Sequence, residues 1–394
     1  MPKIVQLDPE TSKDEVTRLW WKCFNPDKTV EEVAKWAHRD LDEMEILFGV
    51  RDKGQLVAVT GATKHIENRF RGADLRFSGI GGVATLPEYR RGRWVRRMME
   101  AFFQYANEND IIVSALAPFN YPFYEKFGYV MSEQRHDYHF SPSELKQITG
   151  QPEISFREYD PEKDAEAVMD VQRSMARFGS RLFIPLHRLQ KFPIPHGYVF
   201  ERNHEIVGFI LLRFNEIKED WQLRMNIIHT WFNTNDVLPA IADFVFRYGS
   251  QCKQINWRME PEIPLEYFLK NPGHQERRRE GGMMVRVVKF KEFCQQIKVP
   301  LAAAEPVTVK LVDVHCPWNE GVWELTPVAS RLGIQSCTKE PEIVLDAIQL
   351  SHTLAGIITA AQLQSLGGLD CSADAAERFS QIFPAQSHYY YARF

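Results

Sequence analysis

The sequence predicts an α/β fold of mixed sheets, with one domain pattern used twice and a third α+β unit behind it. Three observations carry that expectation. In the first 150 residues short apolar runs are joined by one long amphipathic stretch. The same order returns between 151 and 282, and a different alternation of strand and helix patterns begins at 284. At ~100–200 residues per domain, a chain of 394 residues divides naturally into 1–150, 151–282 and 283–394.

Residues 12–39 read as helical, with a second helix starting at Asp27 and showing Val30, Val33, Ala34 and Trp36. Glu45–Val50 and Leu56–Gly61 are short apolar runs around Arg51-Asp52-Lys53-Gly54, which predicts a hairpin. Phe77–Thr85 is a Gly-rich apolar strand. Over 95–106, Val95, Met98, Met99, Phe102, Phe103 and Ala106 fall on one helical face. Ile111–Leu116 follows as a buried strand.

The second copy opens at Phe156-Arg157-Glu158, with a helix over 161–177. Tyr198–Glu201 and Ile206–Arg213 flank a turn at 202–205 and mirror the first hairpin. Arg224–Thr230, a helix over 236–248 and the strand Gln254–Met259 mirror 77–116. Residues 271–282 carry charge and glycine, and predict a loop with Arg277–Arg279 in a solvated turn. The third unit offers strands at Val307–Val314 and Gly321–Thr326, then helices near 342–349 and 355–366.

Hydrophobic residues make up 44% of the chain and charged residues 25%, and the net charge is −4. This is the balance of a folded globular chain, and it predicts neither a nucleic-acid nor a membrane partner. The six cysteines are scattered without a CxxC pair, which fits reduced thiols and a cytoplasmic location. The first ten residues hold no apolar signal segment, and no run of about 18 apolar residues predicts a membrane helix. There is no GxxxxGK[ST], HExxH or GxSxG, and no Cys/His ligand spacing, so no metal is expected.

The chemistry concentrates in Gly81–Met99. A strand ends in a loop holding Arg90, Arg91 and Arg93, and an amphipathic helix starts at once. The first amides of a helix lack intrahelical partners, and the helix dipole adds positive charge there. With forked guanidinium donors beside them, the segment has the make-up of an anion site that suits a diphosphate. By spacing alone, a basic surface turn that merely caps a helix is an equal reading.

Val83–Met99 resembles motif A of the GNAT acetyltransferases, in which the pyrophosphate of acetyl-CoA lies on the loop before the helix. Tyr89-Arg90-Arg91 fits the motif. Arg93 stands where the pattern has its first glycine, Val95 where it has its second small residue, and Gly92 is shifted by one. A side chain at 93 would crowd the backbone approach to phosphate. Phe123–Tyr129 resembles the family's Y-x-x-x-G-Y/F segment, which implies that Tyr124 protonates the departing thiolate.

As a whole, the chain resembles the Eis (enhanced intracellular survival) acetyltransferases: two GNAT-type domains and a sterol-carrier-like C-terminal domain. The second copy has Thr230–Asp236 where the first has its arginines, so coenzyme binding is expected in the first copy only. The resemblance implies that the Phe394 α-carboxylate serves as base. It places Val83, Ala84 and Thr85 along the pantetheine arm, Arg91, Gly92, Arg93, Trp94, Val95 and Arg96 at the diphosphate, and Phe119 and Asn120 beside the pantetheine. It further implies an amine acceptor of the polyamine, aminoglycoside or lysine kind, and a homohexamer. Arg393, a cation beside that carboxylate, disfavours polycationic aminoglycosides. The competing reading is a non-catalytic carrier or regulator, because sterol-carrier relatives bind apolar ligands.

Overall fold

The computed structural model describes residues 2–147, 151, 153–191, 196–217, 223–274, 276–301 and 305–394. The chain forms two compact units. One comprises the segment up to Ser132, Met283–Gln386 and Arg393–Phe394, and the other comprises Glu133–Gly282 and Ser387–Ala392.

The first unit begins with β1 (Lys3–Leu7), α1 (Lys13–Phe24), α2 (Val30–Asp42), β2 (Met44–Asp52) and β3 (Gln55–Thr63). The short β4 (Asn68–Arg69), β5 (Phe77–Thr85), α3 (Trp94–Glu108), β6 (Val113–Leu116), α4 (Tyr121–Glu125) and β7 (Val130–Met131) follow. The expected second helix starts at Val30 rather than Asp27, because Thr29 and Glu32 form a reciprocal capping box there. The hairpin at Asp52–Gln55 is as expected. The seven-stranded sheet runs β1-β2-β3-β5-β6, then the strand Met284–Val287, then β7.

Within this sheet β5 and β6 run parallel, in register from Phe77↔Val113 to Ile80↔Leu116. Beyond Ile80, β5 continues to Thr85 paired only with β3, through Gly61↔Gly81, Val59↔Ala84 and Ala58↔Thr85. The two parallel strands therefore part, and one edge of Gly81–Thr85 is left open. On α3, Met98, Met99, Phe102, Phe103 and Ala106 are fully buried against the sheet, as the period of the sequence predicts.

The C-terminal part of the first unit is a four-stranded sheet ordered Arg331–Ser336, Gly321–Val328, Val307–Val312, Ile343–Asp346. Residues 342–349, expected as helix, are strand up to Asp346. The helix Ala347–Ala355 begins only there, capped by the Asp346 carboxylate on the Ile348 and Gln349 amides. The expected helix over 355–366 is interrupted by Gly356, whose φ of 78° ends one helix before Ala360–Ser365 starts the next. Arg71, almost fully buried, donates to the carbonyls of Leu354 (2.5 Å), Thr353 (3.2 Å) and Pro384 (2.9 Å), tying the two parts of this unit together.

The second unit repeats the pattern. Its sheet runs Glu276–Gly281, Gln134–Phe140, Cys252–Met259, Leu223–Phe232, Glu205–Glu216, Gly197–Arg202, Ile154–Glu158. Leu223–Phe232 and Cys252–Met259 form its parallel pair, which also parts, after Ile227↔Trp257. The expected loop at 271–282 contains the strand Glu276–Gly281, paired with Gln134–Phe140. Its charged residues carry no apolar signal, as is common for a sheet edge. The side chains of Arg277–Arg279 lie outside the described residues.

Candidate coenzyme site

Where β5 leaves β6 the chain passes through the turn Pro87–Tyr89 and the loop 90–93 into α3. The first bond of that helix runs from the Arg97 N–H to the Arg93 carbonyl (3.2 Å), so the amides of Trp94, Val95 and Arg96 precede any helical partner. Its first turn has no acidic residue. Arg93 caps the helix in the left-handed region, with φ 59° and ψ 21°, and Arg91 has φ 65°. Arg93 thus takes the backbone conformation that suits a glycine, while keeping its cation. Gly92 is closed in by the indole of Trp94, which occupies the place a Cβ would take.

The arginines are not equivalent. Arg96 pairs with Glu100 (2.9 Å), Arg97 lies over the Trp94 ring (4.9 Å), and Arg90 donates to the Thr85 carbonyl (3.2 Å). Among the described residues Arg91 and Arg93 have no ion-pair partner. A cavity of about 1060 Å³ opens in front of them. Val83, Ala84, Thr85 and residues 91–96 line it, and so does Phe119. The structure therefore brings those expected residues together around one space.

Three expected residues, Asn120, Tyr124 and Phe394, are not part of this lining. Asn120 caps α4, its side-chain oxygen accepting from the Phe123 N–H (2.9 Å), which fixes the start of that helix. Tyr124 is buried on the same helix, its ring edge-on to Phe119 (5.5 Å) and Phe123 (5.0 Å). Burial pushes its phenol well above the usual value, so it is a neutral donor throughout the physiological range. After α4, Gly128 turns with φ 78°, and a Cβ there would crowd Ala347 (2.8 Å) and the Arg286 guanidinium (3.0 Å).

Phe394 docks on β5. A Cβ on Gly79 would come within 2.3 Å of its ring, and its main-chain carboxyl carbon lies 3.5 Å from the Cβ position that Gly81 leaves vacant. The Gly79 amide is held by the Thr63 hydroxyl (2.8 Å). The two glycines make room for this residue beside the stretch that continues into Val83.

Sequence reasoning did not single out Cys23, Phe24, Tyr89, Phe123 and Lys126 as lining residues. Tyr89 donates to Asp52 (3.0 Å), and burial holds the Cys23 thiol above its ordinary value despite Arg90 nearby. Nor did it single out Val314 and His315, which reach this cavity from the C-terminal part of the unit. Among the described residues the second copy shows no counterpart site: Asp236 precedes its helix and pairs with Arg202, and Trp231 is fully buried, stacked on Phe209 (5.1 Å). Among the described residues no group of His, Cys, Asp and Glu could hold a metal, and no helix is long and apolar enough to cross a membrane.

The parted parallel strands, the helix mouth and the loop that joins them are the features of a GNAT fold. The chain carries an acetyltransferase (GNAT) domain over residues 6–131 and a sterol carrier protein domain over residues 290–391, each matching its family. No curated protein matches the chain in sequence. Solved structures share its whole architecture. A conserved Enterococcus faecalis protein described as a "Probable N-Acyltransferase" superposes with a TM-score of 0.88 at 19% identity, covering 100% of both chains. A GCN5-related N-acetyltransferase from Anabaena variabilis gives 0.86 at 16% identity, covering 98% of this chain and 99% of that one. Eis1 from Mycobacterium abscessus gives 0.81 at 14% identity, covering 100% of both. The fold is thus the Eis-like one, with two GNAT-type domains and a sterol-carrier-like domain.

Proposed function

We propose that this protein transfers an acetyl group from acetyl-CoA directly to a primary amine, of a small polyamine, an aminoglycoside-like molecule or a lysine side chain. The observation that carries the reading is the convergence of unpaired Arg91 and Arg93, the first amides of α3 and the open edge of β5 on one cavity. The diphosphate sits at the helix mouth, where charge and unpartnered donors coincide. The pantetheine arm adds to the open edge of β5 over Val83–Thr85. A backbone N–H near Val83 polarises the thioester carbonyl, in the manner of an oxyanion site.

The deprotonated amine attacks the carbonyl carbon, a C–N bond forms and the C–S bond breaks. Tyr124 gives its proton to the departing thiolate and regains one from the ammonium side through water. The α-carboxylate of Phe394, with a reference pKa of ~3.3–3.7, is too weak a base for direct deprotonation of an alkylammonium. It pairs with the ammonium and orients it; the amine that attacks is the fraction that has already lost its proton to bulk solvent, and the N–H proton released after the C–N bond forms returns through water to Tyr124.

The test is release of free CoA thiol with a panel of polyamines, aminoglycosides and lysine peptides. Tyr124→Phe and deletion of Phe394 are each expected to lower turnover roughly 10²-fold or more, with the fold intact by circular dichroism. If both variants turn over like wild type, the assigned mechanism is wrong. Saturating acetyl-CoA should raise the melting temperature, since a ligand at a hundred times its Kd adds about 2.7 kcal/mol. No shift would favour a carrier.

A further inference from the structure

The cavity is not built by the acetyltransferase domain alone. Val314 and His315, which belong to the sterol carrier domain, stand in its wall beside Lys126 and Phe127. The loop that presents them is held from several sides. Asp313, 1% exposed, accepts from the His315 amide (3.3 Å), the Cys316 amide (3.1 Å), the Asn319 side chain (3.1 Å) and the Arg286 guanidinium (2.5 Å). Arg286 also donates to the Phe127 carbonyl, so the loop and the end of α4 share one buried cation. On this fixed loop Val314 is 77% exposed, an apolar side chain with no cover from the protein itself.

The His315 ring lies 5.2 Å from that of Phe127, and its Nε2 bonds the Lys126 carbonyl (3.0 Å). A carbonyl only accepts, so Nε2 carries the proton and Nδ1 is a bare acceptor when the ring is neutral. Burial, and next the Arg286 charge, lower the His315 pKa and keep it neutral. Lys126, itself exposed, is a lining cation from outside the 90–96 segment. A flat aromatic edge, an apolar side chain and a separate cation are what a phosphorylated nucleoside needs.

Resting on the acetyl-CoA reading above, we propose that Val314, His315 and Lys126 seat the nucleotide end of coenzyme A. The adenine lies against Val314 and the imidazole, whose Nδ1 accepts from the base or ribose, and the 3′-phosphate lies by Lys126. The diphosphate already accounts for Arg91, Arg93 and the helix amides. The 3′-phosphate is the remaining charge of the ligand and the adenine its remaining flat surface. The sterol carrier domain then takes part in coenzyme recognition.

The experiment measures CoA affinity of the full chain by calorimetry for wild type, Val314→Glu, His315→Ala and Arg91→Ala, with S-acetyl-pantetheine turnover as a second probe. Val314→Glu places a carboxylate at an exposed position, so its effect cannot come from unfolding. Both loop variants are expected to weaken CoA roughly ten-fold, within the range one stacked base contributes. The wild-type preference for acetyl-CoA over S-acetyl-pantetheine should shrink by a similar factor. 3′-Dephospho-CoA should bind wild type more weakly than CoA does, and Lys126→Ala should abolish that difference. If the loop variants bind CoA like wild type while Arg91→Ala does not, the nucleotide seat is refuted and the acetyl-CoA reading stands. If wild type itself binds no CoA, the acetyl-CoA reading has failed.

Discussion

Arg93 holds a left-handed backbone that costs an ordinary L-residue about 1–2 kcal/mol. The strain is local to the helix mouth and is offset there only by what the cation does. Arg93→Gly is therefore expected to raise the melting temperature by about 2–4 °C and to weaken CoA several-fold, read by thermal melting and calorimetry on the same sample. A fall in melting temperature would contradict the strain. Tyr124 carries a pH prediction. Burial raises its pKa, so as pH climbs it stays a protonated donor while the acceptor amine loses its proton. The profile of kcat/KM should rise through pH 9 without a descending limb below about pH 10; a limb near pH 8 would assign the acid elsewhere. At this scale the sequence was informative where residue type alone carries the chemistry, as with the arginines at 91 and 93. It was silent on Val314, an isolated valine whose position is set by contacts more than 25 residues away in the chain, through Arg286 and Asp313.

β5 joins the binding and reacting parts of the site, because one of its ends meets Phe394 and the other enters the arginine loop. Gly79→Ala would put a methyl group where the Phe394 ring now lies. Turnover is expected to fall at least ten-fold through misplacement of the terminus, with CoA affinity within about two-fold of wild type, because the loop at 90–93 is untouched. Equal losses in both would mean that the strand itself had moved. Strands and helices of this kind are legible when one face is apolar, as over 94–108 and in the hairpin around Asp52–Gln55. Glu276–Gly281 escaped because an edge strand can be charged throughout. Ile343–Asp346 escaped because four residues of strand run straight into a helix start, and one apolar period blurs into the next.

Periodicity does not name a strand's partner, and this matters most for the whole molecule. Met284–Val287 reads as the opening of the third unit, yet it pairs with β6 through Met284↔Leu116 to Val287↔Val113 and with β7 at Met131 and Val130. A fragment ending at residue 282 would lack an interior strand of the first sheet, and with it the fully buried Met284 and Val285. We expect such a fragment to lose hydrogen-exchange protection over β6 and to melt without a cooperative transition; protected β6 amides would contradict this. Arg71→Ala should destabilise the full chain by about 3 kcal/mol, as for other buried cations whose partners are left unpaired, measured by chemical denaturation. The same interposed strand sets the order of events during synthesis. The sheet that carries the arginine loop remains open between β6 and β7 while the next 150 or so residues are translated, at ~5–20 residues per second. A nascent chain waiting for residue 287 leaves two unzipped edges without their strand for roughly 8–30 s, the interval in which edge-to-edge association competes with folding.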